Sequence, residues 1–130
     1  MDKIKVLVID DEKDFLKIIG SRIKKWGYDL IIAEDAASGL KSFQENNPDI
    51  VILDYLMPNK NGLELLKKIR NLNKDIPAIM FTAYPNTELM SETQKLNISA
   101  FIPKMSVYSD TQISLKSSLE LITKNLRKQV

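Results

Sequence analysis

The sequence predicts an α/β fold: a doubly wound (βα)5 domain whose parallel sheet is covered by helices on both faces. Five apolar runs of strand length alternate with five stretches in which apolar residues recur at helical spacing. Each strand–helix unit takes roughly 20 to 25 residues, as in parallel sheets with helical crossovers. The central run, from Ile50 to Leu53, is continuously apolar, which is typical of a strand buried on both faces.

The five units follow one another without a linker, a repeat or a low-complexity segment. Strands are predicted at residues 4–9, 28–33, 50–54, 76–81 and 99–102, and helices at 13–26, 36–45, 63–69, 87–96 and 110–127. Gly27 and Asn97 are predicted to close the first and fourth helices, and Asp35 to cap the second. The last helix carries Ile113, Leu115, Leu119, Ile122 and Leu126 at helical spacing. We predict that residues 1–130 form one domain.

Composition excludes several kinds of function. The chain has 44% hydrophobic and 28% charged residues, and its net charge of +2 is too small to favour nucleic acid or an anionic membrane as the main partner. Because there is no cysteine and no histidine, disulfides, thiolate metal sites, histidine-ligated zinc and a Ser-His-Asp triad are excluded. No signal peptide and no membrane-spanning stretch is visible, so we expect a cytoplasmic location without membrane contact.

Polar residues stand where the predicted strands end. The first strand runs into Asp10 and Asp11, the third into Asp54, the fourth into Thr82 and the fifth into Lys104. Because the carboxyl ends of parallel strands share one edge, these side chains are expected to converge. Clustered carboxylates need a counter-charge, and their oxygen atoms suit Mg²⁺. A carboxylate, a metal, a hydroxyl and an ammonium together indicate phosphoryl transfer to an aspartate.

Each of these residues also has an ordinary structural interpretation. Asp10 and Asp11 could cap the first helix, Thr82 could be a β-branched strand residue, and Lys104 could be a solvated strand terminus. Phe101, on the last strand, could be plain core. Taken singly, the ordinary interpretation is favoured for Thr82, Lys104 and Phe101. Their joint placement at one sheet edge favours the functional interpretation instead.

With these pieces in view, the chain resembles the receiver domain of two-component response regulators over essentially all of its length. The matching motifs are Val8-Ile9-Asp10-Asp11-Glu12, Asp54-Tyr55-Leu56-Met57-Pro58 with Gly62, Thr82-Ala83, and Phe101-Ile102-Pro103-Lys104. The resemblance implies a flavodoxin-like fold with strand order 2-1-3-4-5. It also implies a switch domain that is no enzyme beyond its own phosphorylation and slow dephosphorylation.

The resemblance assigns a role to each matching position. Asp54 is the implied phosphoacceptor. The implied Mg²⁺ ligands are Asp10, Asp11, Asp54 and the backbone carbonyl of Leu56. Thr82 and Lys104 are the implied switch hydroxyl and phosphoryl-stabilising ammonium, and Phe101 is the implied switch aromatic. The side chains implied to flank the water that hydrolyses the acyl phosphate are Leu56 and Tyr84.

One departure concerns Lys104. Receivers usually place a proline directly after this lysine, whereas here Pro103 precedes it and Met105 follows it. The way in which the ammonium is aimed is therefore a question that the sequence leaves to the structure.

The resemblance implies a phosphoryl donor, either a histidine kinase or a histidine phosphotransfer protein. It also implies an output partner that binds the face of helix 4, strand 5 and helix 5, without direct contact to nucleic acid. Two alternatives stay open. The chain could be the receiver fragment of a longer DNA-binding transcriptional regulator, or a receiver-like interaction module that is never phosphorylated.

Overall fold

Within the described residues, five strands and five helices alternate along the chain, as predicted. The structure is a computed structural model and describes residues 3–57, 61–83, 86–104 and 110–128. The strands are β1 (Lys5–Ile9), β2 (Asp29–Ala33), β3 (Ile50–Asp54), β4 (Ala78–Thr82) and β5 (Ala100–Pro103). The helices are α1 (Lys13–Lys25), α2 (Ala36–Asn46), α3 (Gly62–Leu72), α4 (Thr87–Lys95) and α5 (Asp110–Lys128).

The strands form one parallel sheet in the order β2-β1-β3-β4-β5. This confirms the doubly wound, flavodoxin-like order implied by the resemblance. The chain starts at β1, moves outward to β2, and returns to β3 on the other side of β1. The winding therefore reverses between β1 and β3, and the carboxyl ends of these two strands flank the crevice where such sheets bind ligands.

The sheet separates two apolar layers, because alternate residues of each strand point to opposite faces. Val6 and Val8 of β1 pack in one layer with α1 and α5, whereas Leu7 and Ile9 pack in the other with α2 and α3. Every residue of β3 and of β4 is buried. The central strands are thus covered on both faces, which explains their continuously apolar sequences.

The predicted helix ends are confirmed. Gly27 and Asn97 both adopt positive φ, at 100° and 58°, just beyond α1 and α4. The side chain of Asp35 caps α2 by accepting a hydrogen bond of 2.7 Å from the backbone N–H of Ser38. Glu12 is the N-cap of α1, but its side chain makes no capping hydrogen bond there. The carboxylate of Glu12 is therefore left for other contacts.

One predicted position of α5 lies on the wrong side of the helix. Leu115, Leu119 and Ile122 are buried, but Ile113 is 65% exposed. Ile113 precedes Leu115 by two residues, which places it about 200° around the helix from the buried face. Neither α5 nor any other helix in the described residues is both long enough and apolar enough to cross a membrane.

A buried arginine joins α3 to α4. The guanidinium of Arg70, near the end of α3, donates to the carbonyl oxygens of Leu96 and Asn97, at 2.7 and 3.1 Å, where α4 ends. It also donates to the carbonyl oxygens of Ile76, at 2.7 Å, and Asn73, at 3.3 Å, in the segment that leads into β4. A cation that hydrogen-bonds the last carbonyls of a helix is favoured by the helix dipole. Arg70 thereby fixes the end of α4 that lies beside α3.

We predict that Arg70→Met lowers the free energy of unfolding by about 2–4 kcal/mol, because one buried and three partly buried carbonyl oxygens lose their charged donor. Urea unfolding measures this quantity. Lys67→Met, on the exposed side of the same helix, is the matched control and should change it by less than about 0.5 kcal/mol. Equal effects of the two substitutions would contradict the stabilising role assigned to the hydrogen bonds of Arg70.

Candidate functional site

The ends of four strands bring the predicted site residues to one edge of the sheet. Asp10 follows β1 directly, Asp54 and Thr82 are the last residues of β3 and β4, and Lys104 follows β5 directly. Phe81 pairs with Asp54 across the β3–β4 ladder, and the backbone N–H of Lys104 donates to the carbonyl oxygen of Thr82 at 2.6 Å. The sheet alone thus aligns residues that are up to 94 positions apart in the chain.

The ammonium of Lys104 lies among three carboxylates. Its Nζ is 2.8 Å from Oδ2 of Asp10, 2.6 Å from Oε1 of Glu12 and 3.3 Å from Oδ2 of Asp54. The side chains of Lys104, Asp10 and Asp54 are each 8% exposed or less, whereas that of Glu12 is 62% exposed. The lysine therefore reaches the site although Pro103 precedes it; Met105 lies outside the described residues.

Burial makes the charges at this site costly. Burial raises the pKa of Asp54 to about 6, the negative charges of Asp10 and Asp11 add to the rise, and Lys104 opposes it. Burial also raises the pKa of Asp10, against a hydrogen bond from Lys104. For Lys104, burial acts to lower the pKa, but the hydrogen bonds to Asp10 and Glu12 and the negative charges of Asp10 and Asp54 together outweigh it, and the pKa is raised. The ammonium stays charged, while the carboxylates retain an excess of negative charge.

The donor set fits a hard divalent cation. One oxygen atom from each of Asp10, Glu12 and Asp54 lies within 4.8 Å of the other two. When all three carboxylates are ionised, the single ammonium leaves two negative charges uncompensated. Carboxylate oxygens suit Mg²⁺, which is usually held by one or two carboxylates together with water, so not all three carboxylates need bind the ion directly. These residues could therefore hold the Mg²⁺ ion that the sequence predicts.

The acidic group and the predicted Mg²⁺ ligands have Asp10 and Asp54 in common, and the ligand role of Asp11 stays a prediction. Glu12 belongs to the acidic group, whereas Asp11 does not. Asp11 is half-buried, and its charge still acts on Asp54 by raising the pKa of that carboxyl. The sequence signal for Glu12 was the run of three acidic residues after β1, of which only the first two were assigned to the site.

Three of the other predicted residues lie on or just beyond β3, β4 and β5. Thr82 is fully buried at the end of β4, and Phe101 is half-buried on β5 opposite Met80. The side chain of Leu56, two residues beyond Asp54, is 50% exposed, and its backbone carbonyl stays a predicted ligand. Tyr84 lies outside the described residues.

Gly62 brings the start of α3 against the backbone of Asp54. Its N–H donates to the carbonyl oxygen of Tyr55 at 2.6 Å. A Cβ atom at this position would lie 2.1 Å from the backbone oxygen of Asp54, which is far closer than van der Waals contact. Any other residue would therefore have to push α3 away from the loop that presents Asp54.

Phe15 of α1 is a further neighbour of the site, and its apolar side chain at helical spacing predicts only a place on the buried face of the helix. The ring centroid of Phe15 lies 4.2 Å from Nζ of Lys104. Nothing in the helical spacing of α1 distinguishes Phe15 from its apolar neighbours, so its contact with the lysine emerges only from the structure.

The chain matches a known family over most of its length. The family profile described as response regulator receiver domain matches residues 6–114. The chain is 30% identical over 118 residues to the transcriptional regulatory protein ZraR of Escherichia coli (strain K12), covering 91% of this chain and 27% of ZraR. It is 32% identical over 124 residues to the probable transcriptional regulator ycf27 of Porphyridium aerugineum, covering 95% of this chain and 51% of that protein. The chain thus spans between a quarter and about half of these curated relatives.

Solved structures match the fold almost completely. A CheY-like response regulator receiver domain protein from Methanospirillum hungatei JF-1 superimposes with a TM-score of 0.87 at 23% identity, covering 98% of this chain and 99% of the other. The chemotaxis response regulator CheY4 of Vibrio cholerae superimposes with a TM-score of 0.80 at 23% identity, covering 92% and 98%. At these identities the likeness concerns the fold.

We predict that Asp54→Asn stabilises the metal-free protein at neutral pH and loses this advantage in acid. The native pKa of Asp54, about 6, is above its ordinary value of 3.8, so the native state binds the proton more tightly than the unfolded state. The wild-type free energy of unfolding therefore falls, relative to that of the variant, as the pH rises from about 4 to about 6. The relative change should be on the order of 2 kcal/mol.

Urea unfolding in the presence of a chelator, at several pH values, measures this difference. Asp75→Asn, at an exposed position, is the control for a general effect of removing one carboxylate. A difference between wild type and Asp54→Asn that does not change with pH would contradict the assigned electrostatics.

Proposed function

This chain belongs to the response regulator receiver domains of two-component systems, and from that premise we propose that it is a phosphorylatable switch with Asp54 as its phosphoacceptor. A histidine kinase or a histidine phosphotransfer protein is the proposed donor. Phosphorylation shifts the domain between two conformations, and the altered conformation controls a partner. Beyond its own phosphorylation and slow dephosphorylation, the domain performs no enzymatic reaction.

The observation that carries this proposal is the setting of Asp54. Its carboxylate is buried at the carboxyl end of the central strand, 3.3 Å from the ammonium of Lys104 and next to Asp10. A carboxylate that only ended a strand would gain from exposure to water. Here burial raises the pKa of Asp54 to about 6, so the group is mostly ionised at neutral pH and poorly compensated. Such a group is suited to act as a nucleophile toward an electrophilic phosphorus.

In the proposed reaction a carboxylate oxygen of Asp54 attacks the phosphorus of the donor's phosphohistidine. The new P–O bond forms as the P–N bond breaks, and the leaving imidazole keeps the electron pair and takes up a proton from solvent. The ammonium of Lys104 is proposed to move from the carboxylate to a phosphoryl oxygen. The hydroxyl of Thr82, at the end of the neighbouring strand, is proposed to donate to another oxygen of the same group.

Mg²⁺ is the proposed cofactor, with Asp10, Asp54 and the backbone carbonyl of Leu56 as ligands and Asp11 or Glu12 as the further acidic group. The ion neutralises negative charge on the phosphoryl oxygens and on the acidic residues that face them. The proximity of Glu12 to Asp10 and Asp54 supports its inclusion, whereas the inclusion of Asp11 rests on the resemblance.

We further propose that the face formed by α4, β5 and α5 reports the phosphorylated state to the output partner. The chain runs from Thr82, at the end of β4, to α4, and Phe101 lies half-buried on β5. The exposed side chains of Met90 on α4 and Ile113 on α5 supply apolar contact area on two elements of this face. Direct binding of nucleic acid by this domain is not part of the proposal, and a cytoplasmic location stays a prediction.

The proposal that this is the receiver of a longer DNA-binding regulator has support of its own. ZraR and ycf27 are described as transcriptional regulators, and the chain matches only 27% and 51% of their lengths. Such a regulator would use the same chemistry at Asp54 and would differ in what the face of α4, β5 and α5 contacts.

We predict that the protein gains the mass of one phosphoryl group when it is incubated with acetyl phosphate and Mg²⁺. The gain should disappear in Asp54→Asn and in the presence of a chelator, because the nucleophile or the metal is then missing. Intact-mass spectrometry measures the result directly.

Asp14→Asn is the matched control, since Asp14 is an exposed aspartate on the first turn of α1 and lies outside the acidic group. It should be phosphorylated like the wild type. An unmodified wild type, under conditions that modify a known receiver, would favour the interaction module that is never phosphorylated.

We predict a long-lived phosphorylated state, because Leu56 and Tyr84 are the side chains proposed to flank the attacking water. A leucine side chain has neither a donor nor an acceptor with which to orient water. Loss of one oriented contact slows hydrolysis roughly tenfold, which corresponds to about 1.4 kcal/mol. Leu56→Asn and Tyr84→Glu, singly and together, should therefore shorten the lifetime in a timed phosphate-release assay.

Leu72→Asn is the control for Leu56→Asn, since Leu72 is 54% exposed and Leu56 is 50% exposed. It should leave the lifetime unchanged. Lifetimes in the double variant that equal or exceed the wild-type value, with folding and Mg²⁺ binding intact, would refute this role for Leu56 and Tyr84.

A further inference from the structure

The ammonium of Lys104 rests on an aromatic ring as well as on carboxylates. Its Nζ lies 4.2 Å from the centroid of the Phe15 ring. Phe15 is 3% exposed, and the side chain of Lys104 is 8% exposed. A cation within about 6 Å of a ring centroid is attracted by the negative face of the ring, and the attraction is strongest where water is excluded.

The ring itself is held in place by a second phenylalanine. Phe81 meets Phe15 edge to face, with the centroids 5.2 Å apart and an interplanar angle of 83°. Phe81 is 1% exposed and pairs with Asp54 across the β3–β4 ladder. The contacts from Lys104 to Phe15 and from Phe15 to Phe81 therefore connect the end of β5, through α1, to the strand beside the proposed phosphoacceptor.

The proposed reaction engages each carboxylate partner of Lys104 but leaves the ring unchanged. Asp54 becomes an acyl phosphate, and Asp10 and Glu12 are candidates to hold Mg²⁺. The ion pair with Glu12 is moreover exposed on the glutamate side, where water and salt weaken it. Phe15 is thus the contact that can persist through the reaction.

We propose that Phe15 is a positioning residue for Lys104. The face of its ring holds the ammonium at the sheet edge, in reach of Asp54, and keeps it there when the carboxylates take new partners. The backbone N–H of Lys104 is held by its hydrogen bond to the carbonyl oxygen of Thr82, and the ring contacts the far end of the same residue's side chain. The kinetic part of this inference rests on the proposed phosphorylation of Asp54, whereas the contact itself does not.

The contact can be tested without any phosphorylation. In protein labelled at lysine with ¹³C and ¹⁵N, the ε-methylene and ammonium resonances of Lys104 should be shifted upfield by the ring current of Phe15. They are assigned by their absence in Lys104→Met. Phe15→Leu should move them to ordinary lysine positions. Phe43→Leu makes the same change in the other apolar layer and should leave them in place. Ordinary chemical shifts for Lys104 in the wild type, or unchanged Lys104 chemical shifts in Phe15→Leu, would refute the contact.

The kinetic role is tested by weakening the ring face at nearly constant shape. Phenylalanines with one, two and three fluorine atoms are placed at position 15 by nonsense suppression, and the rate of phosphorylation by acetyl phosphate with Mg²⁺ is measured. The logarithm of the rate should fall steadily with fluorination, to roughly three- to tenfold below the wild type. The same series at position 43 should leave the rate unchanged.

The resonances of Lys104 test the contact with Phe15, and the phosphorylation rates test its kinetic role, so failure of the proposed function can be told apart from failure of this inference. A wild type that is never phosphorylated would refute the proposed function, and the resonances of Lys104 would still decide the contact. A wild type that is phosphorylated, with a flat series at position 15, would refute the positioning role. A fall of equal size at positions 15 and 43 would also refute it, since it would indicate a general loss of packing.

Discussion

The acidic edge of the sheet depends on the buried ammonium of Lys104. It contacts three carboxylates that reach it from β1, from the start of α1 and from β3. Without a cation between them, the buried carboxylates of Asp10 and Asp54 would repel one another strongly. The same ammonium is the group that the proposed reaction redirects to the phosphoryl oxygens. The ammonium that stabilises the carboxylates in the unphosphorylated protein can therefore also stabilise the phosphoryl group in the phosphorylated protein.

Helix α3 contacts the loop after Asp54 at one end and the end of α4 at the other. At its first residue, Gly62 packs against the backbone of Asp54 so closely that no side chain fits between them. Near its last turn, Arg70 holds the carbonyl groups at the end of α4. The end of α4 beside α3 is therefore fixed, while its beginning follows the segment that leaves Thr82. Within the proposed switch, a change at Thr82 would act on the end of α4 that Arg70 does not hold.

The sequence sufficed to predict the architecture, because the apolar pattern of the strands and that of the helices together fit few arrangements of these elements. Strands covered on both faces must be continuously apolar, as Ile50 to Leu53 are, and helices that cover them need one apolar stripe. Asp35, Gly27 and Asn97 marked helix ends through local backbone chemistry that acts within a few residues. Ile113 was wrongly grouped with the buried positions of α5, since it lies two residues before Leu115 and so about 200° around the helix from the apolar face.

At the site, the sequence by itself determined which strand ends converge, because parallel strands bring Asp10, Asp54, Thr82 and Lys104 to one edge whatever their separation in the chain. Only the tertiary structure decided that Glu12, not Asp11, faces the ammonium. These residues lie beyond β1, where the chain turns into α1 and the two-residue alternation of a strand no longer tells which way a side chain points. The contact between Phe15 and Lys104 is likewise visible only in the tertiary structure. Phe15 lies on α1 and Lys104 follows β5, and the distance between these two segments is set by how the helix packs on the sheet.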